Sequence, residues 1–218
     1  MVLKEDCWYS DVCLYATCTN CIRYAEMKYL MEHSGLPVKR QKPVILSAGV
    51  DRDAFCELAD IKNGIVRFVE GGECLYIYSE FTGNGKTSWA IKLLLRYFDQ
   101  IWPGNGFNAR GYFVHVPTLL SQLKDFEDTS GRNQLKKYLT NCDVVVWDDI
   151  ASTRLSDYDT SQLLMFIDLR IAQGLSNIYT GNITSREGLA RALGERLASR
   201  IWNVSRKVEF RGKDRRHD

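Results

Sequence analysis

The sequence predicts an α/β protein, a mostly parallel sheet covered by helices on both faces, with a small Cys-rich segment ahead of it. Three observations carry this expectation. Strand-like and helix-like stretches alternate from about residue 70 onward, the pattern of parallel strands joined by crossover helices. The runs "CLYIYS" (74–79) and "VVVW" (144–147) are apolar without alternation, as strands buried on both faces must be. The chain has 218 residues, 45% of them apolar and 26% charged, which suits one soluble domain of ordinary size with a small appendage.

The elements follow in order. The first segment is rich in Cys and Tyr and ends in "RYAEMKYLMEHS", whose apolar residues recur at helical spacing. The stretch "SGLPVKRQKP" (34–43) joins Gly35, Pro37 and Pro43 to a basic cluster and predicts a boundary, dividing the chain into domains at 1–40 and 41–218. Residues 51–70 read as one or two short helices. A strand is expected at 75–79, a helix at 86–99, a strand at 112–116, and helical material opened by Pro117 with Leu119, Leu120 and Leu123 on one face. A strand at 142–149, a helix at 157–173, a strand at 177–182, a helix at 185–201 and the strand "KVEF" complete the series. Sheets of this kind bind ligands at the carboxyl ends of their strands.

Charge narrows the function. Lys plus Arg number 29 against 27 Asp plus Glu, so any nucleic-acid contact must be local rather than a property of the whole surface. The tail "RKVEFRGKDRRHD" is the most basic region and reads as solvated. No apolar run approaches the ~18 residues of a membrane span. The start "MVLKEDCWYS" also lacks the form of a signal peptide. The expectation is a cytosolic protein with no membrane partner, whose seven cysteines are not a disulfide framework.

The stretch "EFTGNGKTSW" (80–89) lies between a strand and a helix. A glycine turn feeding a helix N-terminus supplies converging backbone N–H groups and the positive end of the helix dipole, which is what a polyphosphate needs. Thr82, Gly83, Asn84, Gly85, Lys86, Thr87 and Ser88 are therefore candidate ATP-binding residues. Lys86 would reach the phosphates and the Thr87 hydroxyl would ligand Mg²⁺. Glu80 stands where the pattern G-x-x-x-x-G-K-[ST] has its first glycine, and is expected to point away from the anion. The alternative is a glycine turn with an exposed lysine.

A second feature is independent of the first. Val144 to Trp147 deliver Asp148 and Asp149 to a strand end, about 60 residues after the glycine turn. Neighbouring strand residues face opposite ways, which predicts different tasks: Asp148 for Mg²⁺ and Asp149 for the attacking water. Asn182, closing "NIYTGN", could position that water, or could be a simple turn residue.

In that order, "GNGKTSWA", "VVVWDDI", "NIYTGNIT" and "LGERLASRI" resemble the AAA+ ATPases, and within them the helicase loaders of the DnaC/DnaI type, phage-encoded members included. The resemblance covers residues 70–210 and implies a P-loop AAA+ domain. It makes residues 83–87 the Walker A loop, Asp148 and Asp149 the Walker B pair, and Asn182 the first sensor. It makes Arg200 the arginine finger acting on a neighbouring subunit, with Arg196 in reserve. Read from the residues alone, Arg200 is an exposed arginine on a helix. The resemblance also implies slow, assembly-dependent ATP hydrolysis, self-association through the ATPase domain, and a replicative hexameric helicase and single-stranded DNA as partners. The C-terminal helical lid of many AAA+ proteins is not expected, since only about ten residues follow the last strand. Two other functions stay open: a P-loop small-molecule kinase, and an ATP-switched binding module such as a transposition helper.

Cys7, Cys13, Cys18 and Cys21 form C-x5-C-x4-C-x2-C, a candidate structural Zn²⁺ site or, on composition alone, an iron–sulfur site. The Cys-rich part also looks like the metal-binding adaptor domain of some loaders. Cys56, Cys74 and Cys142 stand in apolar contexts and read as core, and His115 in "YFVHVP" as an ordinary strand residue.

Overall fold

A computed structural model describes residues 2–3, 7–11, 13, 17–18, 21–41, 46–101, 107–124, 129–152 and 155–214, with the backbone alone at 2–3, 17–18 and 129. The Cys18 side chain, Pro43 of the expected boundary and the last four residues of the basic tail lie outside the described residues.

Two short antiparallel strands, β1 (Val2–Leu3) and β2 (Thr17–Cys18), precede helix α1 (Ile22–Glu32). There follow α2 (Arg52–Asn63), α3 (Ile65–Glu70), β3 (Cys74–Tyr78), α4 (Lys86–Gln100), β4 (Gly111–His115), α5 (Val116–Lys124) and α6 (Thr129–Asn141). The chain continues through β5 (Val144–Asp148), α7 (Asp157–Ala172), β6 (Ser176–Gly181), α8 (Arg186–Leu193), α9 (Glu195–Trp202) and β7 (Ser205–Glu209). The strand and helix series thus agrees with the sequence expectation to within a residue or two at most ends. Two departures concern helices: α6 has no counterpart in the expected series, and the helix expected at 185–201 is two. Gly194 takes φ 81° between them, a torsion an L-residue enters only under strain, and α8 and α9 pack against each other across that corner.

Strands β3 to β7 form one sheet in the order β4–β5–β6–β3–β7, every neighbouring pair parallel. Side chains alternate between its faces, and each face is covered. Leu75, Ile77, Phe113, Val144, Val146, Ile178 and Val208 pack with α1 to α4. Cys74, Tyr76, Val114, Val145, Trp147 and Tyr179 face the cluster built from α5, α7, α8 and α9. The apolar runs of β3 and β5 are continuous because both faces are interior.

Tyr9, Met27, Leu30, Met31 and Leu36 are buried in the same cluster as α2 to α4, so the apolar core runs across position 40. Two polar ties join that segment to the sheet domain. The Phe113 N–H donates to the Ser34 carbonyl at 2.7 Å, and Arg23 pairs with Asp99 at 3.4 Å. Cys74 and Cys142 are buried as expected. Cys56 is exposed, a correction explained by its place on the side of α2 away from the buried Ala54, Leu58 and Ile61.

The amino ends of β5 and β6 are locked by Arg170, which is fully buried and donates to Asn177 Oδ1 (2.8 Å) and to the carbonyls of Leu139 (3.0 Å), Cys142 (2.8 Å) and Ser176 (2.6 Å). Burial pulls its pKa down to about 10, which still leaves it charged at neutral pH. This lock sits at the sheet edge opposite the carboxyl ends of the strands, where the candidate residues gather.

Candidate nucleotide site

Beyond Tyr78 the chain leaves the sheet and turns into α4 through two left-handed glycines, Gly83 (φ 70°) and Gly85 (φ 101°). A Cβ at Gly85 would meet nothing nearer than Leu46 and Phe210 at 4.0 Å, so torsion rather than space demands glycine there. The turn brings the first N–H groups of α4 to the sheet edge without intrahelical partners, the positive end of a 15-residue helix. Glu80 is exposed, in keeping with its expected outward direction.

Lys86 is folded back over the loop. Its Nζ donates to the Phe81 carbonyl at 2.6 Å and to Asn84 Oδ1 at 3.2 Å, and the residue is 8% exposed. Burial pulls its pKa down to about 8, opposed by the carboxylates of Asp149 and Asp148. The Asn84 side chain is turned inward. It is 2% exposed and donates to Ser79 Oγ (2.7 Å) and to the Gly212 carbonyl (3.0 Å).

Asp148 closes β5 and is 6% exposed. Its Oδ1 accepts from Thr87 Oγ1 at 2.7 Å and from Thr180 Oγ1 at 2.7 Å. Hydroxyl and carboxylate oxygens this close are the hard donors Mg²⁺ prefers, and that ion usually takes only one or two protein oxygens beside phosphate and water. Thr87 and Asp148 therefore fit the metal, and would hold it.

Asp149 corrects the reasoning used for the carboxylate pair. It lies beyond β5, so strand alternation does not govern its direction. It is the one non-glycine residue with positive φ (61°) among the described residues. A left-handed turn sends its carboxylate toward His115, whose Nε2 stands 3.9 Å from Asp149 Oδ2. Its backbone N–H donates to Thr180 Oγ1 at 3.0 Å. A strained non-glycine torsion of this kind costs on the order of 1–3 kcal/mol and persists where surrounding bonds impose it.

Two residues here escaped the sequence reading. Thr180 bridges the Asp148 carboxylate and the Asp149 backbone, and its place one residue before the end of β6, a strand beside β5, is the signal that could have found it. His115 is a strand residue as expected, the last of β4, and its neighbours were not foreseen. It pairs in register with Asp148, and its Nδ1 meets Thr118 Oγ1 at 2.9 Å. Asn182 is half-buried one residue past β6, at the same sheet edge. Arg200 lies elsewhere, exposed on α9 with its Nε 2.5 Å from Asp168 Oδ1 of α7, and Arg196 is exposed on the same helix.

The described cysteines do not make a metal centre. Cys7, Cys13 and Cys21 are free thiols, and no group of three or more His, Cys, Asp or Glu among the described residues could hold a metal ion. Cys7 and Cys21 instead accept backbone N–H groups, from Tyr9 and Tyr24, each at 3.5 Å. No helix among the described residues is long and apolar enough to cross a membrane.

A five-stranded parallel sheet with a glycine loop after β3 and an aspartate pair at the end of β5 is the P-loop α/β fold of AAA+ type. Comparison with known proteins agrees on the fold. No protein-family model matches the chain, and no curated protein sequence matches it. Solved structures do. The DnaC helicase loader is similar with TM-score 0.66 and 23% identity, over 80% of this chain and 100% of that one. DnaI follows with TM-score 0.64 and 20% identity, over 81% and 95%. AMPPCP-bound DnaA from Aquifex aeolicus is similar with TM-score 0.61 and 14% identity, over 83% of this chain and 53% of that one.

Proposed function

We propose that this protein is an ATPase of the DnaC/DnaI type that self-associates, binds ATP with Mg²⁺, and loads a replicative hexameric helicase onto single-stranded DNA. The single observation that carries the nucleotide part is the 2.7 Å contact between Thr87 Oγ1 and Asp148 Oδ1, beside a lysine folded over a glycine loop. An accidental glycine turn has no reason to meet a buried carboxylate 61 residues away. The loader part rests on the fold likeness to the DnaC helicase loader and to DnaI.

The residues divide the work as follows. Backbone N–H groups of the loop and of the first turn of α4 bind phosphate oxygens, and Lys86 exchanges its bonds to Phe81 and Asn84 for the polyphosphate. Mg²⁺, when bound, supplies charge that neutralises the phosphates. Asp149 orients the lytic water and takes its proton, held in direction by Thr180 beneath and His115 beside it. Asn182 adds a polar contact at the same edge. Arg200, turned away on α9, acts on the site of a neighbouring copy.

Titration of Mg-ATP into the wild-type chain and into Lys86→Ala tests the site, with loss of binding expected in the variant. The loader reading is tested by mixing the protein with the replicative helicase of its own cell and a single-stranded DNA circle. ATP-dependent recruitment of the helicase to the circle is expected. Tight ATP binding with no recruitment would leave an ATPase of another kind.

A further inference from the structure

Asp51 occupies the cap position before α2, where an aspartate ordinarily accepts an N–H of its own helix, yet its carboxylate makes no such bond. It is 4% exposed and reaches across the molecule instead, accepting the backbone N–H of Arg211 at 2.6 Å and of Gly212 at 3.0 Å. The Gly212 carbonyl in turn receives Asn84 Nδ2 at 3.0 Å, and Asn84 Oδ1 receives Lys86 Nζ at 3.2 Å. Asn84 Nδ2 also donates to Ser79 Oγ at 2.7 Å, where Ser79 is fully buried. The segment is anchored just before this point, since the Phe210 N–H donates to the Tyr78 carbonyl at 2.8 Å. A continuous buried hydrogen-bond chain thus runs from Asp51 through the segment after β7 to the lysine of the glycine loop.

We propose that Asp51, Asn84 and the backbone of Gly212 are positioning residues for Lys86, so that docking of the segment after β7 and nucleotide binding strengthen each other. The inference rests on the reading of Lys86 as a phosphate ligand. The glycine loop has two left-handed turns and no strand partner of its own, so its shape must be imposed from outside. Asn84 is buried within the loop, gripped on one side by Ser79, just past β3, and on the other by Gly212. Releasing Gly212 would free Asn84 and let the loop sample shapes in which Lys86 and the N–H groups no longer converge. By reciprocity, whatever affinity the docked segment lends the nucleotide, the nucleotide lends the docked segment.

The test uses the nonhydrolysable analogue AMPPCP with Mg²⁺. Failure of the wild-type chain to bind it would overturn the nucleotide reading and this inference together. Given binding, a chain ending at Arg211 and the variants Asn84→Ala and Asp51→Ala are each expected to lose affinity roughly three- to tenfold, a fraction of what the severed bonds contribute, since the loop keeps its other contacts. Combining Asn84→Ala with the chain ending at Arg211 should cost little more than the worse single change, because both cut one chain of bonds. Hydrogen exchange on the wild-type protein needs no variant to fold: the Gly212 N–H should exchange more slowly, by about the same factor, once AMPPCP is bound. Normal affinity in the shortened chain, or Gly212 exchange indifferent to AMPPCP while binding proceeds, would overturn the coupling and leave the nucleotide reading standing.

Discussion

Replacing Thr180 with valine separates the framework of the carboxylate pair from its chemistry. The hydroxyl donates to Asp148 Oδ1 at 2.7 Å and accepts the Asp149 N–H at 3.0 Å, in a residue that is 2% exposed. Valine has the same branching, so the change removes two hydrogen bonds and adds a buried methyl. A bond to an ionised carboxylate contributes about 1.5–3 kcal/mol and a neutral one about 0.5–1.5 kcal/mol, and the lost neutral bond leaves a buried N–H unpaired. Set against about 1 kcal/mol from the added methyl, the net loss of unfolding free energy is about 1–3 kcal/mol. Thr180→Ser keeps the hydroxyl and is the control. Urea unfolding of both variants gives the stability difference, and single-turnover hydrolysis gives the chemical one. Asp149 is held in its left-handed turn through this hydroxyl, so hydrolysis should fall in the valine variant and be largely kept in the serine variant. A valine variant as stable as the serine variant, and hydrolysing as fast, would refute the reasoning.

Three further outcomes are expected. Burial holds the Lys86 ammonium at about 8 against its usual 10.5, so between those values the unfolded chain binds the extra proton and folding stability rises with pH. Affinity for ATP needs the charge and should fall as pH climbs through about 8, which titrations of the wild-type chain between pH 7 and pH 10 would show; an affinity flat across that range would count against a charged Lys86 as the phosphate ligand. His115→Ala should lower the turnover number by up to about tenfold, the effect of losing one positioning contact beside Asp149, with KM unchanged, and steady-state kinetics would show the split. Arg200→Ala loses only an exposed ion pair worth under about 1 kcal/mol of stability. It should still bind ATP, hydrolyse little alone, and regain activity when mixed with Lys86→Ala; a mixture as inactive as its parts would remove the trans-acting role.

How much of this was legible in the sequence depends on the range of each interaction. The glycine loop, Lys86, Thr87 and Asp148 are written in local patterns, a turn between strand and helix and an apolar run ending in acid, and the structure brings Thr87 and Asp148 into contact. The alternation of strands and helices was legible for the same reason, because burial on both faces imposes its composition on each strand separately. Where the expectation failed, a single torsion decided: Gly194 splits one apolar-periodic stretch into α8 and α9, and the positive φ of Asp149 takes it off the strand whose alternation was used to aim it.

Strand order explains the residues that escaped. The neighbours of β5 are β4 and β6, while β3 lies beyond β6, so the carboxyl ends that surround Asp148 belong to segments that the chain visits at different times. Nothing local says that position 115 will stand beside 148, yet the parallel register pairs His115 with Asp148 directly. Given that order, the site follows almost mechanically: the last polar residues of β4, β5 and β6 are His115, Asp148 and Thr180, and all three stand at one edge, facing the loop that leaves β3. The same logic reaches Gly212. β7 pairs with β3 in parallel, Tyr78 opposite Glu209, so the backbone leaving β7 must emerge alongside the backbone leaving β3. That second backbone is the glycine loop, which is why a segment 128 residues from Asn84 can hold it.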